Sequence, residues 1–293
     1  MVSKINCRVL TITTPNQVCL DGLFFGHTQS SKVIIFVHGL GANCFSHLDI
    51  LLPLVNKNTA VITFNNRGHD QISQFKTIDR RRKKGYYKTL AGEVHEQFTD
   101  SPDDIQGVIN LVKNIGIPNI FLMGHSTGSQ KASFFLRSKL AQKQIKGLIL
   151  LSPMSDYAAI TQLSNPQKLK KALAYSHNLV RQGKEHDIVP KNIWPYQYDA
   201  QRLVSLYSPD SVEDIFCYGQ DKKIPTILNQ IKLPTLVVLA EKDEYRDRNI
   251  KKIKNWFESH LHNDKQIAIV PHANHNFNHQ ENTVVTLINQ WLY

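Results

Sequence analysis

The sequence predicts an α/β protein with a mostly parallel sheet, helices on both faces of that sheet, and an inserted helical segment. Short continuous apolar runs alternate with segments of helical periodicity, which is the pattern of a parallel sheet covered by helices. Several of these runs end at glycine or polar residues. Functional residues of parallel sheets lie at the carboxyl ends of the strands, so these positions are candidates for a functional site. Residues 154–225 contain helical patterns but no convincing central strand.

The predicted strands are short and bounded by turn residues. Residues 5–13 and 17–25 form two strands joined by a turn at Pro15-Asn16. Buried parallel strands are predicted within residues 32–41, 59–70, 119–124, 146–153, 233–243 and 266–275.

Helical patterns follow most of these strands. They cover residues 44–57, 101–115, 127–140, 247–261 and 281–292. In the second of them, Ser101 is a good N-cap, Pro102 suits the first turn, and Asp103 and Asp104 favour the positive helix start.

The predicted domain organisation has two parts. Residues 1–153 and 226–293 form the α/β core, and residues 154–225 form a helical cap over the strand ends. The cap contains a segment rich in Trp, Tyr and Pro, IWPYQYDAQRLVSLYSPD.

Composition favours a folded, soluble protein. The 293 residues are 41% hydrophobic and 20% charged, with a formal net charge of +11. The four cysteines are scattered and give neither a zinc pattern nor a disulfide framework, so reduced thiols and a cytoplasmic location are expected. No apolar run is long enough to span a bilayer, and no residue spacing predicts a metal site or a cofactor.

The segment FLMGHSTGSQ, residues 121–130, carries the main chemical motif. GHSTG fits G-x-S-x-G between a predicted strand and a predicted helix, which is the context of a nucleophile elbow. The glycines leave room for a sharp turn that exposes the Ser126 hydroxyl. Ser126 is therefore predicted to be a nucleophile.

A serine hydroxyl needs a base, and the expected chain order is serine, acid, histidine. Asp243 ends one strand and His275 follows the next, so Asp243 is the predicted acid and His275 the predicted base. The backbone N–H groups of Leu40, in HGLG after an earlier strand, and of Thr127 are candidates for an oxyanion hole.

Other residues near these positions remain alternatives. They are His272 and His279 for the base, and Glu241, Glu244 and Asp156 for the acid. Asp156 is a genuine alternative because it lies in the loop after the preceding predicted strand, residues 146–153.

Five residues are candidates for substrate binding, each with a structural alternative. His38, Arg67 and His69 follow strands on the predicted active-site side, but each could instead brace its own loop. Trp194 and Tyr198 could line an acyl or aryl pocket or form the core of the cap. His125 is expected to pack under the elbow.

The chain resembles the α/β-hydrolase superfamily from the first strand pair to the last helix. The matching segments are VHGLG, NNRGHD, MGHSTGS, LAEKDEY and PHANHNF, in that order. GHSTGSQ and SPMSDY also resemble a branch that includes fungal siderophore-ester hydrolases. The resemblance implies the α/β-hydrolase fold, with Ser126 as nucleophile, Asp243 as acid, His275 as base, and Leu40 and Thr127 as oxyanion donors.

These features predict a carboxylesterase that acts on a small or medium organic substrate. The same triad could serve a thioesterase, a lactonase or an acyltransferase. A non-catalytic binding protein on this scaffold is an alternative that the complete triad disfavours. The basic run DRRRKKGYYK, residues 79–88, could bind nucleic acid or steer an anionic substrate, but a solvated loop is favoured, so no nucleic-acid partner is expected.

Overall fold

A mixed sheet organises the part of the chain that the computed structural model describes, residues 5–262 and 264–292. Its strands are β1 (Cys7–Thr13), β2 (Val18–Phe25), β3 (Lys32–Val37), β4 (Thr59–Phe64), β5 (Ser73–Ile78), β6 (Tyr86–Ala91), β7 (Asn119–His125), β8 (Gly147–Leu151), β9 (Thr235–Ala240) and β10 (Lys265–Val270). In the order β10-β9-β8-β7-β3-β4 all neighbours are parallel. The antiparallel strands β2, β5 and β6 extend this sheet beyond β4, and β1 pairs with β2. The prediction of a mostly parallel sheet is confirmed.

Helices cover both faces of the sheet. They are α1 (Leu48–Leu51), α2 (Ser101–Ile115), α3 (Thr127–Phe135), α4 (Lys139–Gln142), α5 (Asp156–Leu163), α6 (Pro166–Arg181), α7 (Ala200–Tyr207), α8 (Thr226–Gln230), α9 (Ile250–His260) and α10 (Glu281–Leu292). Within residues 5–262 and 264–292, none of them combines the length and apolar character needed to cross a membrane.

The central strands are mostly apolar because both of their faces are buried. In β3, Val33, Ile35 and Val37 belong to one core cluster, whereas Ile34 and Phe36 belong to the cluster on the opposite face. Successive strand residues point to opposite faces, so a continuous apolar run serves two cores. This is why these strands can be recognised from sequence.

The helix predicted over residues 44–57 is mostly replaced by turns. Only α1 and a following turn of 3₁₀ helix, Leu52–Leu54, are helical. Asn43 Oδ1 accepts a hydrogen bond from Phe45 N at 3.0 Å, and His47 has a left-handed backbone with φ 58°. A side chain that bonds its local backbone competes with the helix, which explains the shorter element.

Most of the basic run, residues 79–85, forms a mostly exposed turn, and only residues 86–88 belong to a strand, so the loop that the sequence favours here is the turn of a β-hairpin. Strands β5 and β6 pair in an antiparallel register from Ser73–Ala91 to Ile78–Tyr86, and residues 79–85 form the turn between them. Both strands are mostly exposed or half-buried at the sheet edge, so they lack the apolar run that marks the central strands. Charged edge strands of this kind limit pairing with other chains.

Helices α5, α6 and α7 lie in the segment between β8 and β9 and have an apolar cluster of their own. Its almost fully buried members include Trp194, Leu203 and Leu206. Farther along the segment, Ile215 and Phe216 pack into the main cluster of the sheet instead. The segment is therefore joined to the core by packing as well as by the chain.

A buried ionic network also joins this segment to the core. Glu96 forms ion pairs with Lys131 Nζ of α3 at 2.5 Å and with Arg202 Nη2 of α7 at 2.9 Å. Arg202 also pairs with Glu213 at 2.6 Å. Lys131 and Arg202 are fully buried, and the two cations hold the pKa of Glu96 below its ordinary value despite the opposing effect of burial.

Removal of one member of this network should be costly. We expect Lys131→Met to lower the free energy of unfolding by about 3–5 kcal/mol, because a buried carboxylate loses a partner. The matched control is Lys254→Met, since Lys254 pairs with Glu258 on the exposed face of α9 at 3.5 Å and such pairs contribute only about 0.3–0.5 kcal/mol. Urea unfolding of both variants measures the difference, and equal losses would contradict the importance of the network.

Candidate active site

Ser126 occupies a strained turn between β7 and α3. Its backbone has φ 54° and ψ −127°, a conformation that non-glycine residues rarely adopt. A Cβ added at Gly124 would collide with the backbone of Gly128, and one added at Gly128 would collide with Val37 O of β3. The two glycines are therefore required because the backbone segments touch at these positions. The same contacts fix Ser126 in its strained conformation, which places its side chain at the end of the sheet.

Asp243 and His275 form a buried pair at the same end of the sheet. His275 Nδ1 lies 2.8 Å from Asp243 Oδ2, and the two residues are 4% and 8% exposed. Asp243 follows β9 and His275 follows β10, so adjacent parallel strands bring them together. The N–H of His275 also donates to Glu244 Oε2 at 2.9 Å, which fixes the backbone of the loop.

The alternative bases and acids have other environments. The side chain of His272 is 81% exposed, and His279 is also at the surface. Glu241 Oε2 accepts from the backbone N–H of His272 at 2.8 Å and lies 3.7 Å from the exposed ring of the same residue, so its contacts are with His272 rather than with His275. Asp156 Oδ2 accepts from Gln130 Nε2 at 2.8 Å, and burial, together with the nearby Glu213 carboxylate, raises the pKa of Asp156 to about 7.

The Ser126 hydroxyl donates to the thioether of Met154, with Oγ 3.5 Å from Sδ. Among the described residues, no hydrogen bond joins Ser126 to the ring of His275, although both residues line one pocket. Catalytic contacts are often loose before a substrate is bound.

The candidate oxyanion donors lie beside Ser126. A Cβ built on Gly39 would be 3.0 Å from Ser126 Cβ, so the loop that carries Leu40 passes directly over the elbow. Thr127 is the first residue of α3, where the N–H has no partner within the helix. Leu40 and Thr127 both line the pocket.

The pocket has a volume of about 930 Å³ and mixes aromatic with acidic walls. Its aromatic residues are Trp194, Tyr196, Tyr198, Tyr207 and Tyr245. Its acidic residues are Asp49, Glu93 and Asp156. Tyr198 donates its hydroxyl to Glu93 at 2.9 Å, which connects the inserted segment to the core at the pocket wall.

Trp194 and Tyr198 line this pocket, but the other three predicted substrate-binding residues lie outside it. His38 is fully buried, donates from Nδ1 to Gly39 O at 2.9 Å and accepts at Nε2 from Asn66 N, and burial lowers its pKa to about 3. His69 Nδ1 donates to Asn66 O at 2.9 Å. His38 therefore joins its own loop to the loop after β4, and His69 braces the loop after β4.

Arg67 is likewise held away from the pocket. Its guanidinium pairs with Asp100 and Asp104, each at 2.8 Å, and also with Asp103. These carboxylates lie at the start of α2, so Arg67 connects the loop after β4 to that helix. Sequence pattern places Arg67 at a strand end but does not indicate the direction of its side chain.

Two histidines support the loop of His275. His125 Nε2 donates to His275 O at 2.9 Å, so its Nδ1 accepts from His47 Nε2, 3.1 Å away. Burial lowers the pKa of His47 to about 4 and that of His125 far below its ordinary value, so both rings are neutral near pH 7. The packing of His125 under the elbow agrees with the sequence, whereas nothing in the sequence pointed to His47.

A different cluster provides potential metal ligands. Within residues 5–262 and 264–292, His95, His186 and Asp199 come together outside the pocket lining. Because the three residues are far apart in the chain, spacing alone could not reveal them.

The sequence of this chain matches one family model and several known proteins. A family model described as Protein of unknown function (DUF1749) matches residues 97–292. A protein named as a non-haem chloroperoxidase in Synechocystis sp. is 22% identical over 56% of this chain, and the match spans about half, 51%, of that relative. A protein named as an esterase/lipase in Mycoplasma pneumoniae is 25% identical over 65% of this chain and 70% of its own length.

Solved structures establish the fold. The siderophore hydrolase EstB from Aspergillus fumigatus matches with a TM-score of 0.64 and 18% identity, over 100% of this chain and 98% of that one. The chain therefore has the α/β-hydrolase fold that the sequence resemblance implied.

The elbow glycines should tolerate no side chain. We expect Gly128→Ala to lower the free energy of unfolding by about 1–3 kcal/mol or more and to abolish a correctly formed elbow, because the new methyl group meets Val37 O. Gly183→Ala is the control, since Gly183 has a left-handed φ of 71°, where alanine is strained, but open space around its Cβ position. Urea unfolding separates steric contact from backbone strain, and an equal loss in both variants would contradict the steric argument.

The histidine pair should make stability fall in acid. His47 has a folded-state pKa of about 4 against an ordinary value of 6.5, so the unfolded chain binds the proton more tightly. The stabilisation from its neutral form is complete above pH 6.5 and is lost as pH falls towards 4. We expect His47→Asn to reduce the slope of unfolding free energy in this window by at most about 1.4 kcal/mol per pH unit.

The control for this prediction is His272→Asn. His272 shares a left-handed backbone, with φ 60°, but its side chain is 81% exposed. Urea unfolding between pH 4 and 7 measures both slopes. A slope unchanged by His47→Asn, or changed equally by His272→Asn, would contradict the role of the buried ring.

Proposed function

Because the chain belongs to the DUF1749 family and has the α/β-hydrolase fold, we propose that it is a serine hydrolase that cleaves carboxylic esters. The proposed substrates are small or medium organic esters. The names of two similar proteins, a siderophore hydrolase and an esterase/lipase, agree with hydrolytic chemistry in relatives of this fold.

One observation carries the proposal: His275, which is paired with the buried Asp243, and the strained Ser126 line the same pocket. Asp243 accepts the Nδ1 proton of His275, which leaves Nε2 as the basic nitrogen. The serine nucleophile requires a base, which the imidazole of His275 provides, and that base requires an orienting carboxylate, which Asp243 provides.

In the first half of the reaction, Ser126 Oγ forms a bond with the ester carbonyl carbon and its proton passes to His275 Nε2. The N–H groups of Leu40 and Thr127 stabilise the oxyanion of the tetrahedral intermediate. The bond from carbon to the leaving oxygen then breaks as His275 returns the proton to that oxygen. The products of this half are an alcohol and an acyl group on Ser126.

In the second half, water takes the place of the alcohol. His275 removes a proton from the water as the oxygen attacks the acyl carbon, and then protonates Ser126 Oγ as it leaves. A carboxylic acid is released, and the enzyme returns to its starting state. Before the first half, while Ser126 still carries its hydroxyl, that hydroxyl turns from Met154 Sδ towards His275 Nε2.

We further propose that residues 154–225 act as a cap that shapes the acyl site. This segment supplies Met154 and most of the aromatic wall. Among the described residues, Trp194 Nε1 and Thr127 Oγ1 are buried without a hydrogen-bond partner, and both residues line the pocket. Both atoms are closed to solvent, so they belong to the packing behind the pocket wall rather than to its surface.

The triad is tested by labelling with a fluorophosphonate and counting adducts by intact mass. Wild type should gain one adduct and Ser126→Ala none. Asp243→Asn should slow labelling and ester hydrolysis by about 10⁴-fold, because the imidazole loses its orienting carboxylate.

Asp156→Asn tests the alternative acid. Burial already favours the protonated form of Asp156, so the amide is a close substitute and the expected loss is less than about tenfold. Absence of an adduct on folded wild type, or equal labelling of Ser126→Ala, would refute the proposed nucleophile. A larger loss in Asp156→Asn than in Asp243→Asn would move the acid to Asp156.

A further inference from the structure

We propose that His95, His186 and Asp199 bind a divalent transition-metal ion with the ligand preferences of zinc. The site lies outside the lining of the active-site pocket, and it does not depend on the proposed hydrolysis.

The three side chains already converge on one point. His95 Nδ1 lies 3.0 Å and His186 Nδ1 lies 3.2 Å from the same oxygen, Asp199 Oδ2. All three potential ligand atoms lie within 4.8 Å of one another. In a tetrahedral zinc centre with bonds of about 2.0–2.2 Å, ligand atoms are about 3.3 Å apart, so small shifts would admit an ion.

The donor set selects the class of metal. Two imidazole nitrogens and one carboxylate oxygen suit zinc and neighbouring transition metals. Calcium and magnesium prefer a shell made of oxygen atoms, which this cluster does not provide. A water molecule would complete the coordination, because the side chain of His186 is 57% exposed.

The carboxylate is fixed in place before any ion binds. Asp199 is fully buried, and its other oxygen, Oδ1, accepts from Arg202 N at 2.8 Å as the N-cap of α7. The Asp199 N–H donates to Val94 O at 3.0 Å, which holds it beside His95. Outer hydrogen bonds of this kind orient metal ligands and increase affinity.

The ligands come from two parts of the chain. His95 lies between β6 and α2 in the core, whereas His186 and Asp199 lie between α6 and α7. A bound ion would therefore connect the inserted segment to the core, and it would raise the stability of the folded state by mass action.

The competing explanation for the convergence of these three side chains is hydrogen bonding without a metal ion. In that case both Nδ1–H groups donate to Asp199 Oδ2, and the cluster has no need of an ion. In the metal-bound form each neutral imidazole binds through Nδ1 and carries its proton on Nε2. The two explanations differ in whether zinc ions bind.

The test is isothermal titration of the chelator-treated full chain with zinc chloride at neutral pH, with thermal unfolding measured in parallel. Wild type should bind one zinc ion and unfold at a higher temperature in its presence. His186→Ala, at an exposed position, should weaken binding by about tenfold or more. Asp199→Asn should do the same, while the amide oxygen keeps the N-cap of α7.

His27→Ala is the control, since His27 is exposed and lies outside the cluster. It should bind zinc like wild type. A cobalt ion in the site should give a visible absorption band that His186→Ala lacks. Absence of zinc binding to wild type, or equal affinity in wild type, His186→Ala and Asp199→Asn, would overturn the proposal in favour of hydrogen bonds alone.

Discussion

The close backbone contact at the elbow is the constraint on which the rest of this structure depends. Gly124 and Gly128 leave no space for a side chain between β7, β3 and α3, so the chain reverses at Ser126 at the cost of a strained φ. That reversal sets the direction of α3. It also places the N–H of Thr127 and the hydroxyl of Ser126 at the strand ends, where the loops after β9 and β10 bring Asp243 and His275.

The position of α3 in turn anchors the inserted helices. Lys131 lies on this helix, and its ammonium group reaches Glu96, which also receives Arg202 of α7. Nearby, Tyr198 donates to Glu93 and Asp199 contacts His95. The segment of the chain between β6 and α2 thus supplies polar side chains that contact the helices between β8 and β9. One of these contacts holds Tyr198 in the aromatic wall of the pocket.

Features set by local chemistry could be predicted from sequence, and features set by side-chain direction could not. The central strands and the elbow were predictable because burial on both faces and a sharp turn each demand a narrow choice of residues. Trp194 and Tyr198 line the pocket. His38 and His69 also follow strands but hydrogen-bond to nearby loop backbone, and Arg67 pairs with carboxylates at the start of α2. The hairpin β5–β6 lacked an apolar run, and the contact between His47 and His125 spans 78 residues of chain.

The buried ionic network also restricts how the sequence can change over evolutionary time. Glu96, Lys131, Arg202 and Glu213 come from four separate places in the chain, and each compensates a buried charge of another. A single neutral replacement leaves its partner unpaired, while replacement of the whole group by well-packed apolar side chains can preserve stability. Substitutions at these positions should therefore be inherited together, and relatives should carry either the complete set of charges or none of them.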